Sequence, residues 1–204
     1  MTECPVCERG QLEDFQVVKA QQYLRCQVCE ATLLAQACRL SASEERAIYD
    51  FHENEAEDPG YRKFLSKLTE PLLESLEPGM AGLEFGCGPG PALAGKLTGG
   101  GMESDLYDPV FPNAAQALER QYDFLTCTEV VEHLHQPAQV FPQIDCLLKP
   151  GGWLGVLTCF QPDDARFANW RYRRAPTLLA FSRHHTLAVL SAPVGWDAAV
   201  LRNT

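Results

Sequence analysis

The stretch LEFGCGPG, residues 83–90, is the part of the sequence that decides the fold. Its start has the apolar character of a short buried strand, although Glu84 places an acid within it. Three glycines, Gly86, Gly88 and Gly90, follow, and the next segment, PALAGKL, has the composition of a helix start. This order predicts a ligand-binding turn between strand and helix, because glycines let the backbone approach a ligand closely.

Further strands and helices alternate after the glycine loop. SDLYDP (104–109) predicts a second strand that ends at Asp108, and YDFLTCTEVVEHL (122–134) predicts a third strand running into a helix. A helix that starts at residue 139 and ends at the turn KPGG (149–152), followed by a strand over 153–160, completes the pattern. The order β-α-β-α-β-α-β predicts an α/β fold with a Rossmann-like, doubly wound, mostly parallel sheet. An acid at the position of Asp108 can accept both hydroxyls of a ribose.

Four of the nine cysteines form two CxxC pairs near the N-terminus, at Cys4, Cys7, Cys26 and Cys29. Two such pairs, brought together by a hairpin, offer four thiolates in the tetrahedral arrangement that zinc prefers. We therefore predict a small structural zinc ribbon over residues 1–38, with no open coordination position for chemistry. A pair of redox-active dithiols is the alternative, but the βαβ context that it needs is missing from this part of the sequence.

Residues 39–59 are predicted to be a helical connector to a main domain over 60–204. Ser41 and Glu44 have the spacing of a capping box, and the Pro59-Gly60 pair predicts a break. A second helix is predicted over 61–76, where Pro71 must kink or restart the helix, with Thr69 as the new cap.

The chain of 204 residues carries a formal net charge of -10, which disfavours a nucleic-acid partner because phosphate backbones need Lys and Arg. RYRR (171–174) is either a local basic patch or a solvated loop. The N-terminus does not resemble a secretory signal, and no apolar run has the length of a membrane span. We therefore expect a cytoplasmic protein without membrane contact, in which cysteines bind metal or are simply buried.

Taken together, these residues resemble the class I S-adenosylmethionine-dependent methyltransferases over about residues 60–204. Residues 84–90 look like the first motif of that family, and Asp108, the 122–134 segment and LLKPGGWL (147–154) fall in its order. The whole chain is similar to bacterial methyltransferases with an N-terminal zinc ribbon, and EVVEH (129–133) resembles ubiquinone-pathway O-methyltransferases. An NAD-dependent Rossmann enzyme is the alternative, but its GxGxxG fingerprint differs from the GxGxG of this sequence.

The resemblance implies that S-adenosylmethionine is the cofactor. The glycine loop would pass beneath its methionine part, Glu84 would hold its amino end, and Asp108 would bind the ribose hydroxyls. Thr128 and Glu129, at the end of the third strand, would flank the cofactor near its sulfonium. The expected cofactor-binding residues are thus Glu84, Gly86, Cys87, Gly88, Gly90, Asp108, Thr128 and Glu129.

His133 and Glu129 are the candidate catalytic residues. His133 is expected to begin the helix after the third strand, where it would take a proton from the acceptor or else pack locally. Glu129, Glu132 and His133 would share a helix face, and some related enzymes bind a divalent ion with this pattern; a metal-free site is the alternative. Related ribbon proteins would place a histidine at Leu178, and His184-His185 is the candidate replacement.

Two segments are shorter than the family pattern. Residues 109–121 leave room for only a turn or two of helix. In the family this region holds the third strand of the domain, which lies before the 122–134 segment, so that strand is expected to be shortened here. The adenine contact that it supplies in the family is therefore in question, and residues 115–118 are the substitute contact. The C-terminal edge also ends early. FANWRYRR (167–174) would lie over the acceptor pocket, where Trp170 and Tyr172 would either sandwich a planar acceptor or pack a lid.

We therefore expect a methyltransferase that acts on a small molecule, at oxygen in preference to nitrogen or carbon. An RNA methyltransferase that uses the ribbon to bind RNA is one alternative, yet residues 1–38 contain five acids against three bases, Arg9, Lys19 and Arg25. A non-catalytic, cofactor-binding interaction protein is the other. The sequence does not indicate the acceptor's identity or the oligomeric state.

Overall fold

The computed structural model describes residues 3–51, 58–90, 92–111 and 115–196. The chain divides into two compact units. The ribbon unit comprises Met1–Ile48, Val131–Pro142 and Thr158–Thr204, and the sheet unit comprises Tyr49–Val130 and Gln143–Leu157. Both units combine separate stretches of sequence, whereas the division predicted from the sequence uses continuous ones; the boundaries 1–38, 39–59 and 60–204 stay a prediction.

Strands and helices follow one another along the described residues. They are β1 (Leu12–Val18), β2 (Gln21–Cys26), β3 (Thr32–Leu34), α1 (Ala42–Tyr49), α2 (Pro59–Leu73), β4 (Ala81–Phe85), α3 (Ala92–Gly99), β5 (Glu103–Tyr107), β6 (Tyr122–Thr128), α4 (Pro137–Leu147), β7 (Leu148–Leu157), α5 (Asp164–Phe167), β8 (Ala180–Phe181) and α6 (His184–Ser191). Short 3₁₀ turns lie at Gln36–Cys38, Ala115–Leu118, Tyr172–Arg174 and Ala192–Val194.

The sheet unit contains a parallel sheet with the strand order β5-β4-β6-β7. Its central strands are buried on both faces, as in other parallel sheets, and Leu83, Phe124 and Leu125 have no exposed surface. The predicted α/β fold with a mostly parallel sheet is therefore confirmed. The strand order changes direction at β4, so the carboxyl ends of β4, β5 and β6 form the crevice in which such sheets bind ligands.

Helix α2 begins at Pro59 and runs through Pro71 without a second start. Asp58 caps it by accepting a hydrogen bond from the backbone N–H of Tyr61 at 2.6 Å, and a proline in the first turn loses no helical hydrogen bond. The expected new start at Thr69 is wrong. Pro71 lies in the last turn, and the buried leucines of α2 hold that turn against the core of the sheet unit.

The connection between β5 and β6 is short, as predicted. Among described residues 109–111 and 115–121 there is a single 3₁₀ turn and no strand. Tyr122 fixes this turn, because its hydroxyl lies 2.8 Å from both the Ala117 carbonyl oxygen and a carboxylate oxygen of Asp105. Part of the predicted segment, residues 112–114, lies outside the described residues.

The ribbon unit contains an antiparallel sheet with the strand order β1-β2-β3-β8. Strand β8 comes from the C-terminal part of the chain and pairs with β3, with Thr32 opposite Phe181 and Leu33 opposite Ala180. Where the family pattern leads one to expect an antiparallel strand pair after β7, the described residues therefore add a strand to the ribbon. The last predicted residues of the C-terminal edge, 197–204, lie outside the described part.

An aromatic cluster joins the ribbon strands to this C-terminal segment. The Phe167 ring lies 4.9 Å from that of Tyr23 and 5.6 Å from that of Phe181, both edge-on. Arg173 is buried beside them and donates to the carbonyl oxygens of Phe167 and Ala168. RYRR is thus not a solvated loop throughout.

No helix among the described residues is long and apolar enough to cross a membrane.

Candidate functional site

The glycine loop of residues 86–90 lies at the carboxyl end of β4 and is held there by β5. The backbone N–H groups of Gly86 and Cys87 both donate to the carbonyl oxygen of Tyr107, at 2.7 and 3.2 Å. Gly86 has φ of +80°, and a Cβ there would lie 2.3 Å from a methyl group of Val130. Only glycine fits this position, so the loop keeps its backbone open toward the crevice.

Glu84 is buried directly before this loop. One of its oxygens accepts a hydrogen bond from the Ala94 N–H at 3.0 Å, in the first turns of α3. Burial raises the pKa of Glu84 to about 7, and the bond from Ala94 opposes that rise. Ionisation of this buried carboxyl group is unfavourable unless a positive charge lies beside it. Glu84 is therefore suited to a cationic ligand group, in whose presence its carboxyl group would ionise.

Asp108, one residue after β5, ties the loop to the next strand. One carboxylate oxygen accepts from Gly88 N–H at 2.8 Å, and the other accepts from Val110 and Phe111 N–H groups at 2.8 and 3.1 Å. These three bonds hold the Asp108 carboxylate beside the glycine loop, at the carboxyl ends of β4 and β5. The sequence indicated the ligand role of Asp108 but not its part in fixing the loop.

The end of β6 has a buried hydroxyl group and a strained backbone next to each other. The Thr128 hydroxyl oxygen is buried and has no hydrogen-bond partner among the described residues. Glu129 has φ of +54°, and its N–H donates to the Leu157 carbonyl oxygen at 2.8 Å. Backbone strain of this kind costs about 1–3 kcal/mol and is concentrated at functional sites. All eight predicted cofactor-binding residues belong to the sheet unit, at the carboxyl ends of β4, β5 and β6.

His133 does not begin a helix, contrary to the prediction. Residues 129–136 form turns, and α4 begins only at Pro137. The left-handed conformation of Glu129 ends the strand without starting a helix, and proline favours the first helical position. His133 belongs to the ribbon unit, where its Nδ1 lies 2.9 Å from the Thr177 carbonyl oxygen. The helical spacing assumed for Glu129, Glu132 and His133 is therefore wrong.

Glu132 is buried in the ribbon unit with partners that the sequence did not indicate. One carboxylate oxygen accepts from the hydroxyls of Thr158, at 3.0 Å, and Tyr172, while the other has no hydrogen-bond partner among the described residues. In the part of the chain that the structure describes, Glu129, Glu132 and His133 do not form a cluster that could hold a metal ion. The divalent-ion hypothesis gains no support from this geometry.

The aromatic pair of the 167–174 segment packs together and does not form a sandwich. The ring centres of Trp170 and Tyr172 lie 5.2 Å apart at an angle of 34°. Two rings that enclose a third need about 7 Å between them, twice the usual carbon–carbon contact distance. Trp170 also packs edge-on against Phe181.

The histidines of α6 do not replace the one expected at Leu178. Leu178 is buried in the aromatic cluster. The ring of His184 lies 4.1 Å from that of Phe160, and His185 Nε2 lies 3.0 Å from the Val28 carbonyl oxygen. Both rings are thus engaged elsewhere, and Val28 belongs to the second CxxC pair.

The two CxxC pairs come together as predicted. The four sulfur atoms lie within 4.8 Å of one another, with Cys4–Cys29 at 3.8 Å and Cys7–Cys26 at 3.7 Å. A tetrahedron with Zn–S bonds of about 2.3 Å has sulfur–sulfur edges of about 3.8 Å, so the cluster fits zinc. The hydrogen bond from Cys29 lowers the pKa of Cys4 to about 6, and that shared proton raises the pKa of Cys29. Cys38 lies apart, near the Ala20 carbonyl oxygen.

Comparison with known sequences decides the family. Residues 58–199 match a family described as a methyltransferase domain. The chain belongs to this family. The predicted membership of the S-adenosylmethionine-dependent methyltransferases is thereby confirmed, and the match includes every predicted cofactor-binding residue.

Individual relatives match over shorter stretches. Ubiquinone biosynthesis O-methyltransferases from Paraburkholderia phytofirmans and Leptothrix cholodnii are 41% and 43% identical over 49 residues, which are 24% and 22% of this chain. The matched stretch is 21% of each relative, so the chain spans about a fifth of their length.

Two solved structures are similar to the chain. A methyltransferase from Thermotoga maritima has 16% identity, covers 68% of this chain and 72% of its own, and gives a TM-score of 0.43. A coclaurine N-methyltransferase, bound to N-methylheliamine and S-adenosylhomocysteine, has 15% identity, covers 74% of this chain and 58% of its own, and gives 0.45.

Proposed function

We propose that the protein is an S-adenosylmethionine-dependent methyltransferase that acts on a small molecule. The observation that carries the proposal is the crevice of the sheet unit, where a buried carboxyl, a glycine loop and a second carboxylate follow one another at the ends of β4 and β5. Glu84 offers its carboxyl to an ammonium group, and Asp108 offers lone pairs to ribose hydroxyls. The buried Thr128 hydroxyl supplies a further polar group that needs a partner.

The chemistry that S-adenosylmethionine supplies when bound is an electrophilic methyl group on a sulfonium. The residues of the sheet unit bind and orient this group, since methyl transfer in line depends mainly on positioning. The carboxylate of Glu129 would attract the positively charged sulfonium of the cofactor. Part of that attraction would be lost once methyl transfer has removed the positive charge.

We assign proton removal from the acceptor to His133. A carbonyl oxygen can only accept a hydrogen bond, so Nδ1 of His133 donates its hydrogen to the Thr177 carbonyl oxygen, and the lone pair of the neutral ring is on Nε2. That tautomer is the one a general base needs. Oxygen is the proposed acceptor atom, which the partial matches to O-methyltransferases support.

The ribbon's basic residues favour a small-molecule acceptor over RNA. The Arg25 guanidinium pairs with Asp164 at 2.8 Å, and Arg9 donates to the Val189 carbonyl oxygen at 2.7 Å. Two of the three bases in residues 1–38 are thus already bound within the ribbon unit.

We further propose that the four cysteines hold a structural zinc ion, and that the protein acts in the cytoplasm without membrane contact.

Titration calorimetry tests the cofactor part of this proposal. Both S-adenosylmethionine and S-adenosylhomocysteine should bind at micromolar concentrations, and a protein that binds neither would contradict the enzyme hypothesis and the cofactor-sensor alternative together. Labelled S-adenosylmethionine, incubated with cell extract and then separated into RNA, protein and small-molecule fractions, tests the acceptor. Label confined to RNA would favour the RNA methyltransferase, and binding without transfer to any fraction would favour a non-catalytic protein.

A further inference from the structure

The direction of α2 in the sheet unit follows from two contacts, one with α3 and one with Gly100, the residue directly after α3. Lys96 Nζ donates to Ser66 Oγ at 2.9 Å, and a Cβ on Gly100 would lie 2.7 Å from a methyl group of Leu73. Later residues of α2 therefore meet later residues of α3, so the two helices run in the same direction. Because α3 starts right after the glycine loop, the first turn of α2 lies at the same end of the sheet as that loop.

Tyr61 lies in this first turn, where the Asp58 cap fixes its backbone. It is partly buried and packs against the core of the sheet unit. Burial raises the pKa of its hydroxyl, and the negative charges of Glu84 and Glu129 raise it further. The hydroxyl therefore keeps its proton and can donate a hydrogen bond.

The amino-acid end of S-adenosylmethionine carries two opposite charges. Its ammonium group suits Glu84, but its carboxylate would be repelled by Glu84 and Glu129 unless a donor meets it. The loop N–H groups of Gly86 and Cys87 already donate to Tyr107, and that of Gly88 donates to Asp108. A protonated phenol at the same end of the sheet supplies a donor without adding a further charge.

We propose that Tyr61 positions the cofactor by donating its hydroxyl hydrogen to the carboxylate of the cofactor's amino-acid end. This inference rests on the proposed function and adds a residue from α2, which neither the sequence motifs nor the glycine loop indicated. Tyr61 acts on binding and orientation, and no proton or electron transfer is assigned to it.

A mutant–ligand cycle tests the proposal. Calorimetry measures S-adenosylmethionine and its decarboxylated analogue against the wild type and Tyr61→Phe, which keeps the ring. The wild type should bind S-adenosylmethionine about tenfold more tightly than the analogue, and Tyr61→Phe should lose most of that preference. Tyr23→Phe, which removes a hydroxyl of the ribbon unit that bonds to Gln21, is the control and should keep the wild-type preference.

The outcomes are distinguishable. Equal weakening of both ligands by Tyr61→Phe, or an unchanged preference, would overturn the role of Tyr61 while leaving the proposed function intact. A wild type that binds both ligands equally tightly would also overturn the role of Tyr61, and this measurement does not depend on whether a variant folds. A wild type that binds neither ligand would overturn the proposed function itself. Thermal unfolding of each variant, measured alongside, shows whether the fold is retained.

Discussion

Glu84 carries a stability cost at neutral pH that its proposed binding role would explain. Its folded-state pKa of about 7 lies above the ordinary value of 4.5, so the folded protein holds a proton that the unfolded chain releases first. The stabilising effect of that proton is complete below about pH 4.5 and is lost as the pH rises through 7. Above neutral pH the empty site therefore contains a buried carboxylate that only a cationic ligand would compensate.

Replacing Glu84 by Gln should separate these two effects. Relative to the wild type, the free energy of unfolding of Glu84→Gln should rise by about 3 kcal/mol between pH 4.5 and pH 8, because glutamine cannot ionise. Urea unfolding at both pH values measures this difference. Affinity for S-adenosylmethionine at pH 8 should fall in the same variant. A pH-independent stability difference would show that Glu84 is ionised at no cost.

Asp108 should combine a ligand role with a structural one. Asp108→Ala removes the acceptor for Gly88, Val110 and Phe111 N–H groups, so it should destabilise the protein by about 1–3 kcal/mol. It should also weaken S-adenosylhomocysteine binding at least tenfold, since both the proposed ribose contact and the observed loop position depend on it. Urea unfolding and calorimetry measure the two effects, and unchanged affinity would remove Asp108 from the ribose site.

At the scale of elements, α6 bonds to the second CxxC pair and to Arg9, two residues after the first pair. At its start, Thr186 donates its hydroxyl hydrogen to the Cys29 carbonyl oxygen at 2.9 Å; near its end, Arg9 donates to Val189. Thr186 is fully buried, and its hydroxyl also accepts from Arg183 N–H. Groups that orient metal ligands in this way commonly change metal affinity 10- to 100-fold when they are removed.

Thr186→Val should therefore release zinc faster than the wild type. Transfer of zinc to a coloured chelator, followed over time, should speed up about tenfold. Ser191→Ala is the matched control, since among the described residues its hydroxyl bonds only within α6, to the Ala188 carbonyl oxygen at 3.1 Å. Equal zinc release by both variants and the wild type would contradict a supporting role of α6, and metal-free wild type would contradict the zinc site itself.

The sequence predicted those elements whose signals are local. Strands β4, β6 and β7 were visible as apolar segments, β5 as a shorter segment that ends before Asp108, and the two CxxC pairs have their own spacing. The turn at 129–136 was missed, because the left-handed backbone of Glu129 leaves no signal in the residue types of EVVEHL. The pairing of β8 with β3 was equally hidden, since a two-residue strand has no periodicity and its partner lies far away in sequence. The location of Tyr61 depended on the direction of α2, which only packing determines.

For the whole molecule, the division into two units predicts separate responses to zinc and to cofactor. Metal binding supplies folding free energy to the elements that surround it, which in this chain are the ribbon strands together with β8 and α6. Hydrogen exchange followed by mass spectrometry should show faster exchange over residues 12–34 and 180–191 after zinc removal. S-adenosylhomocysteine should instead slow exchange over 81–90 and 103–111. Each ligand is expected to stabilise the unit that binds it. If zinc removal sped up hydrogen exchange in the β4 and β5 region to the same extent as in the ribbon unit, the two units would unfold as one.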